Sequence, residues 1–279
     1  MQEQKYIVGI DVGGTFTDLL CLNTETQELL SEKVPSIPGS QWKGVLGALE
    51  QLGIDYAEIR AFVHGTTIAT NALLERKGAK TGLVTTDGFR DTLEIGRTRR
   101  LIGGLFDIKF VRPKPLVSRD LRIEVDERVA ADGTVLQSVD DVDFAPIVQQ
   151  FKDKGVEAIA VAFMNAYRNS ENEAKALEKI QALAGDVPVC ASTTVVPEKG
   201  EFERFSTCVL NAYLTPVVTT YLETLAAELE GQGIAAPVSV MGSNGGVMTL
   251  DQAAKFAAGT FLSGPVGGAG GAVRICEMA

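Results

Sequence analysis

Four cysteines, one histidine and one tryptophan in 279 residues leave several classes of protein without support. Cys21, Cys190, Cys208 and Cys276 are scattered with no Cys-x-x-Cys spacing, so neither a disulfide framework nor a structural zinc site is expected, and the thiols read as reduced and mostly buried. Basic residues are outnumbered 26 to 36 by acidic ones, and the formal charge of −10 opposes general binding to nucleic acid or to an anionic membrane. The one compact basic cluster, Arg97-Thr98-Arg99-Arg100, reads as a solvated turn or a local anion contact. No apolar run approaches a membrane span, and the first five residues lead into a strand without a signal-peptide core, which points to the cytoplasm. No solenoid-length repeat is present. What remains is 45% hydrophobic residues and a mean hydropathy of +0.11, enough for a large core and about two domains by length.

The densest signal is Gly9-Ile10-Asp11-Val12-Gly13-Gly14-Thr15-Phe16-Thr17-Asp18, where one apolar strand, Tyr6 to Val12, breaks at two glycines and resumes as Phe16 to Leu22. Without Cβ atoms, Gly13 and Gly14 let a polyphosphate approach main-chain N–H groups. Asp11 is placed to hold a hydrated Mg²⁺, and the Thr15 and Thr17 hydroxyls to donate to phosphate oxygens. An ordinary glycine hairpin is the competing reading.

Glycine and proline punctuation lays out an α/β order. Glu28 to Val34 reads as a strand, and a helix follows from the Ser40 cap to Gly53 with Trp42, Val45, Leu46, Leu49 and Leu52 on one face. Then come strand Ala61 to His64, helix Thr66 to Arg76, strand Thr81 to Thr85 and a short helix capped by Asp87. Gly96 to Arg119 has no clean period and reads as a surface excursion. A strand pair, Arg122 to Val129 and Val135 to Val139, turns at Asp132-Gly133. Beyond it lie helix Val142 to Lys154, strand Ala158 to Phe163, helix Ser170 to Ala184 and strand Val187 to Ala191. A boundary is placed near Val195 to Lys199, giving domains 1–195 and 196–279, the second opened by a long helix, Phe202 to Glu230, interrupted by Pro216.

His64-Gly65-Thr66-Thr67-Ile68-Ala69-Thr70-Asn71 puts the sole histidine at a strand-to-helix junction, a place for an anion or a polarised carbonyl, or simply for an N-cap and a structural histidine. Met241 to Gly246 and Ser263 to Gly268 are further glycine loops able to lie close to a phosphate or sugar, or to serve as plain turns. Glu201, Glu203 and Arg204 read as dipole-favoured acids plus a helix-face salt bridge.

Together these strings resemble the N-terminal part of the hydantoinase A and 5-oxoprolinase family. The carriers are GIDVGGTFTD, HGTTIATNALLERKGAKTGLVTTDGFRDTLEIGR from His64, RPKPLVSRDLRIEVDERV from Arg112, EFERFSTCVLNAYLTPVV from Glu201, MGSNGGV and FLSGPVGG. The resemblance implies an actin, Hsp70 and sugar-kinase fold: a ribonuclease-H-like mixed sheet flanked by helices, with an incomplete second domain. By that similarity Asp11, Gly13, Gly14, Thr15, Thr17 and Asp18 form the first phosphate loop with Mg²⁺ on Asp11. His64, Thr66, Thr67 and Asn71 approach the reacting centre, and Ser263, Gly264, Gly267 and Gly268 line the nucleotide cleft.

The implied chemistry is ATP-driven opening of a lactam or cyclic imide such as 5-oxoproline or a hydantoin. Phosphorylating the carbonyl oxygen makes a leaving group that water can displace. ATP and Mg²⁺ are the implied cofactors, with K⁺ a further candidate. A hydantoinase B-like subunit is the implied partner, and the full-length protein is expected to be oligomeric. Ketone carboxylase ATPase subunits share the pattern and supply the second reading; a nonenzymatic partner-binding fragment is the third. The family's second phosphate hairpin does not appear before Ala279, so the chain is expected to be a fragment, with little turnover alone.

Overall fold

A computed structural model describes residues 4–37, 39–97, 109 and 113–278. The chain begins with strands β1 (Tyr6–Val12), β2 (Phe16–Asn23) and β3 (Leu29–Pro35), helix α1 (Gln41–Leu52), strand β4 (Ile59–Thr66) and helix α2 (Ile68–Leu74). It continues through β5 (Thr81–Thr86), α3 (Thr92–Ile95), β6 (Arg122–Val125), β7 (Arg128–Val129), β8 (Val135–Gln137), α4 (Ala145–Asp153), β9 (Ala158–Ala162) and α5 (Glu171–Ala184). Next are β10 (Val189–Ala191), α6 (Ser192–Val195) and α7 (Glu201–Gly231), then β11 (Val238–Met241), β12 (Val247–Thr249), α8 (Leu250–Lys255) and α9 (Ser263–Met278).

The chain packs as two compact units, residues 1–78 with 217–279, and residues 79–216. The boundary expected near Val195 to Lys199 follows the sequence, whereas packing returns the chain to its first unit at Val217. Pro216 does not interrupt α7, which runs through it from Glu201 to Gly231. The proline only removes one N–H donor from a helix otherwise held by buried Phe205, Val209, Leu214, Val218, Leu222 and Leu225.

The first unit holds a six-stranded mixed sheet in the order β12-β11-β4-β1-β2-β3. β1, β2 and β3 form an antiparallel meander, and β4 and β11 join parallel to β1. Alternation decides which side chains face α1: Val8, Ile10, Val12, Leu19 and Cys21 are buried, and Val45, Ala48 and Leu49 of α1 are buried with them. Gly53 ends α1 in the left-handed region at φ 64°.

The second unit holds an all-parallel sheet in the order β10-β9-β5-β6. β9 is buried at all five positions and β5 at all six, as a sheet covered on both faces requires. Phe144, Val148 and Phe151 of the α4 region and Ala176 and Ile180 of α5 complete its core. The expected strand pair divides differently: β6 joins the parallel sheet, and only β7 and β8 form a hairpin, turning at Gly133 with φ 96°. Most of the expected surface excursion, including Thr98 to Arg100 of the basic cluster, falls outside the described residues. Arg97 itself is paired with Glu203, its Nε and Nη2 at 2.6 and 2.7 Å from the carboxylate. No described helix is long and apolar enough to cross a membrane.

Candidate phosphate and metal site

The β1–β2 hairpin places Asp11 directly opposite Asp18, and the parallel β1–β4 register sets Asp11 beside Gly65. These residues share the sheet face away from α1. They line a cleft of about 330 Å³ together with Gly9, Leu20, Val63 and Met241, and Ser263, Gly264, Gly267 and Gly268 from the start of α9. The cleft lies wholly within the first unit.

Close backbone approach builds this site. A Cβ on Gly65 would stand 3.0 Å from Asp11 Oδ1, and one on Gly264 would stand 3.5 Å from the same atom. Both glycines therefore let main chain close around one carboxylate. Ser263, fully buried, donates its hydroxyl to the Thr66 carbonyl at 3.1 Å and so ties the first turn of α9 to the end of β4. Leu262 before it has φ 60°, and its N–H donates to Thr70 Oγ1 at 3.2 Å. The start of α9, the positive end of its helix dipole, is thus held beside Asp11.

Asp11 is exposed to solvent, yet the surrounding walls of the cleft partly desolvate its carboxyl, and this, then the Asp18 charge, raises its pKa above the ordinary 3.8. Asp18 is also engaged by Lys33, whose Nζ lies 2.6 Å from Oδ1 in an exposed pair. Lys33 offsets the Asp18 charge, and a second cation beside Asp11 would offset the other. The hard oxygen donors of the two carboxylates, with waters and phosphate oxygens completing the shell, suit Mg²⁺. Among the described residues no group of three or more His, Cys, Asp or Glu side chains is placed to hold a metal ion.

The structure distributes the remaining expected site residues over several places. Gly14 and Thr15 are exposed at the hairpin tip, and the Gly13 N–H closes the turn onto the Phe16 carbonyl at 3.0 Å. Thr17 is on the other face of β2, fully buried, its hydroxyl 3.0 Å from Ser36 Oγ; a Cβ on Gly44 of α1 would stand 2.8 Å from it. Alternation puts Thr17 beneath α1 when Asp18 faces the cleft, so the expected Thr17 contact with phosphate is not what this geometry offers.

His64 is also displaced from its expected place at the reacting centre. It pairs with Ile10 in the register, on the face opposite Asp11 and Gly65, and is fully buried. Its Nε2 lies 2.9 Å from the Tyr221 hydroxyl of α7, and its Nδ1 has no partner among the described residues. Burial pushes its pKa down to about 3. It is a neutral core histidine, and strand alternation beside Gly65 is the physical reason. Tyr221, 157 residues away, carries no sequence signal of this role.

Thr66 and Thr67 act at the start of α2. Thr66 Oγ1 accepts from the Ile68 N–H at 3.2 Å, while Thr67 donates its hydroxyl and its N–H to the Val12 carbonyl at 3.1 and 3.2 Å. Asn71 donates its side-chain amide to Thr67 Oγ1 at 3.3 Å. These residues fasten β4 and α2 to β1 next to the glycine turn. The Met241 to Gly246 loop is the β11–β12 turn, with Gly245 at φ 81°; from it only Met241 reaches the cleft. Glu201, Glu203 and Arg204 are all consumed in ion pairs of the second unit.

The chain is matched by two family models, the hydantoinase/oxoprolinase N-terminal region over residues 7–184 and hydantoinase/oxoprolinase over residues 204–279. It is 36% identical over 255 residues to the alpha subunit of caprolactamase from Pseudomonas jessenii, covering 88% of this chain and 36% of that one. The crystal structure of that ATP-dependent caprolactamase superposes with a TM-score of 0.84 at 34% identity, over 93% of this chain and 39% of the other. A nucleotide-free acetone carboxylase structure gives 0.86 at 25% identity, over 99% and 41%. The 5-oxoprolinase of Saccharomyces cerevisiae is 29% identical over 320 residues, covering 99% of this chain and 24% of that one. The mixed sheet flanked by helices is thus the expected ribonuclease-H-like fold. The chain spans about two fifths or less of the relatives it matches.

Proposed function

The chain belongs to the hydantoinase/oxoprolinase family, and we propose that it is the phosphate- and metal-gripping part of an ATP-dependent enzyme that opens a lactam or cyclic imide ring. The observation that carries this reading is the cleft in which Asp11 and Asp18 face the glycine-bearing start of α9. Asp11 is the residue we assign to Mg²⁺, with Asp18 beside it. Gly264, Gly267 and Gly268 let phosphate oxygens approach main chain, and Gly13, Gly14 and Thr15 cap the cleft's hairpin. Bound Mg-ATP would supply the phosphoryl group that converts a poor amide electrophile into one water can open.

This chain's own contribution is positioning. Thr67 and Asn71 hold β4 and α2 on β1, and Ser263 holds α9 on β4, so the carboxylate and the helix start keep their separation. Phosphoryl transfer is accelerated mainly by such placement and by electrostatics. His64 is left out of the proposed reacting set, because it lies on the opposite sheet face. The caprolactamase relative is an alpha subunit, which supports a second subunit as partner, one of hydantoinase B type. K⁺ and a cytoplasmic setting belong to the same proposal.

The likeness to acetone carboxylase supports a second reading, ATP-driven carboxylation of a ketone. Phosphate release by the complete natural protein, with Mg-ATP and separately 5-oxoproline, caprolactam, a hydantoin, or acetone with bicarbonate, decides between them. Lactam- or imide-dependent release, lost in Asp11→Asn, supports the first reading. Release dependent on ketone and bicarbonate replaces it with the second, and a folded protein that neither binds Mg-ATP nor releases phosphate overturns both.

A further inference from the structure

Cys190 is the middle residue of β10 and Cys208 lies in the first half of α7, both within the unit formed by residues 79–216. Their Sγ atoms are 3.8 Å apart. Each sulfur also lies against the other residue's carbonyl, Cys190 Sγ at 3.6 Å from Cys208 O and Cys208 Sγ at 3.8 Å from Cys190 O. Cys208 is fully buried, whereas Cys190 keeps part of its surface in solvent.

We propose that Cys190 and Cys208 form a redox-active dithiol, which a low-molecular-weight disulfide such as oxidised glutathione converts into an intramolecular disulfide. Sulfurs already in contact need to close by only roughly 2 Å to reach bonding distance, within reach of side-chain rotation and a small backbone adjustment. Spacing along the sequence gives no hint of the pair, because the two cysteines are brought together only when α7 packs on the edge of the parallel sheet.

The two thiols differ in a way that assigns their roles. The hydrogen bond between the two sulfurs lowers the Cys190 pKa below its ordinary 9.0, and burial raises that of Cys208 well above it. Cys190, which keeps surface in solvent, is therefore the attacking thiolate, and the enclosed Cys208 the resolving thiol. The Cys190 sulfur attacks one sulfur of the oxidant, whose S–S bond breaks and releases one thiolate, leaving a mixed disulfide on Cys190. Cys208 gives its proton to the departing sulfur and attacks Cys190 Sγ, expelling the second small thiol. Two cysteine thiols are oxidised, one external disulfide is reduced to two thiols, and no oxidant has to enter the core.

The bridge would tie β10 to α7 across the stretch that carries Ser192 and Thr193, the residues that clamp Glu173. The test is incubation of the reduced chain with excess oxidised glutathione, then denaturing alkylation, intact mass and peptide mapping. The expected result is a peptide pair linked through Cys190 and Cys208, both residues protected from alkylation, and an intact mass before alkylation lower by two hydrogens, apart from a glutathionyl group on the exposed Cys276. Cys208→Ser is expected to stop at one glutathionyl group on Cys190, and Cys190→Ser to leave Cys208 unmodified. Full alkylation of both residues after oxidant, or a bridge joining any other pair, overturns the proposal, and the wild-type map decides even where a variant misfolds.

Discussion

Asp11 and Asp18 stand directly opposite each other on β1 and β2, two like charges on the cleft face of one hairpin. A purely structural hairpin gains nothing from this pairing, since like charges directly opposite one another on neighbouring strands are destabilising. Asp11→Asn is expected to leave the fold intact, to leave stability at neutral pH equal to or slightly above wild type, and to abolish Mg-ATP binding. Denaturant unfolding and calorimetric titration on the same preparation check both halves. A folded variant that binds Mg-ATP like wild type would remove Asp11 from the site.

The same residue sets a sign for pH dependence. Because the folded state raises the Asp11 pKa, it holds that proton more tightly than the unfolded chain does. The Asp11 contribution to stability therefore falls as pH rises from the ordinary value of 3.8 through the raised one. Subtracting the Asp11→Asn stability profile from that of wild type should show a decline over this interval. A difference that rises with pH there contradicts the assignment.

His64 behaves in the opposite sense. Its pKa is depressed from 6.5 to about 3, so its neutral form stabilises the fold fully above pH 6.5, and that contribution is lost as pH falls toward about 3. The shift corresponds to something on the order of 5 kcal/mol at most. As the sole histidine, it gives one imidazole signal, which should not titrate between about pH 5 and pH 8. Tyr221→Phe removes the partner of Nε2 and should cost about 1–3 kcal/mol in urea unfolding. An imidazole titrating near pH 6.5 in the folded protein would put His64 in solvent.

Gly65→Ala tests close approach. The backbone there is not left-handed, so the added methyl acts only by its 3.0 Å encounter with Asp11 Oδ1. Mg-ATP affinity is expected to drop while the melting temperature changes little. Gly47→Ala, in α1 with open space around its Cβ, serves as control and should leave affinity unchanged.

Arg204 and Glu173 form a buried ion pair in the second unit, 3.7 Å apart with both side chains fully enclosed. Glu173 also accepts from the Phe163 and Thr193 N–H groups and from Ser192. Glu173→Ala strips the buried guanidinium of its fully enclosed counter-charge, leaves it only the partly exposed Glu201 carboxylate at 3.3 Å, and is expected to cost about 3 kcal/mol. Equilibrium unfolding measures this, and a loss under 1 kcal/mol would mean that water reaches the pair.

Most elements were legible in the chain because burial imposes a period. Strands β1, β5 and β9 and helices α1 and α5 follow from apolar alternation, apolar runs and glycine stops. The β1–β2 hairpin was legible too, because two glycines break the chain between two apolar strands. The continuous α7 was not, since a proline in a helix costs stability that a buried face repays only in the folded state. Which residues of the GTT and GGT strings face the cleft was equally hidden.

The sequence by itself determined the α/β order, the acidic surface and the location of the glycine turns, all of which depend on local periodicity and backbone freedom. Tertiary structure alone decided that Asp11, Asp18 and Gly65 share a face with the start of α9 while Thr17 and His64 turn away, because register and strand alternation assign faces only after strands pair. It also decided that residues 217–279 complete the unit begun by residues 1–78, and that Cys190 meets Cys208, since contacts between distant segments depend on packing rather than on spacing.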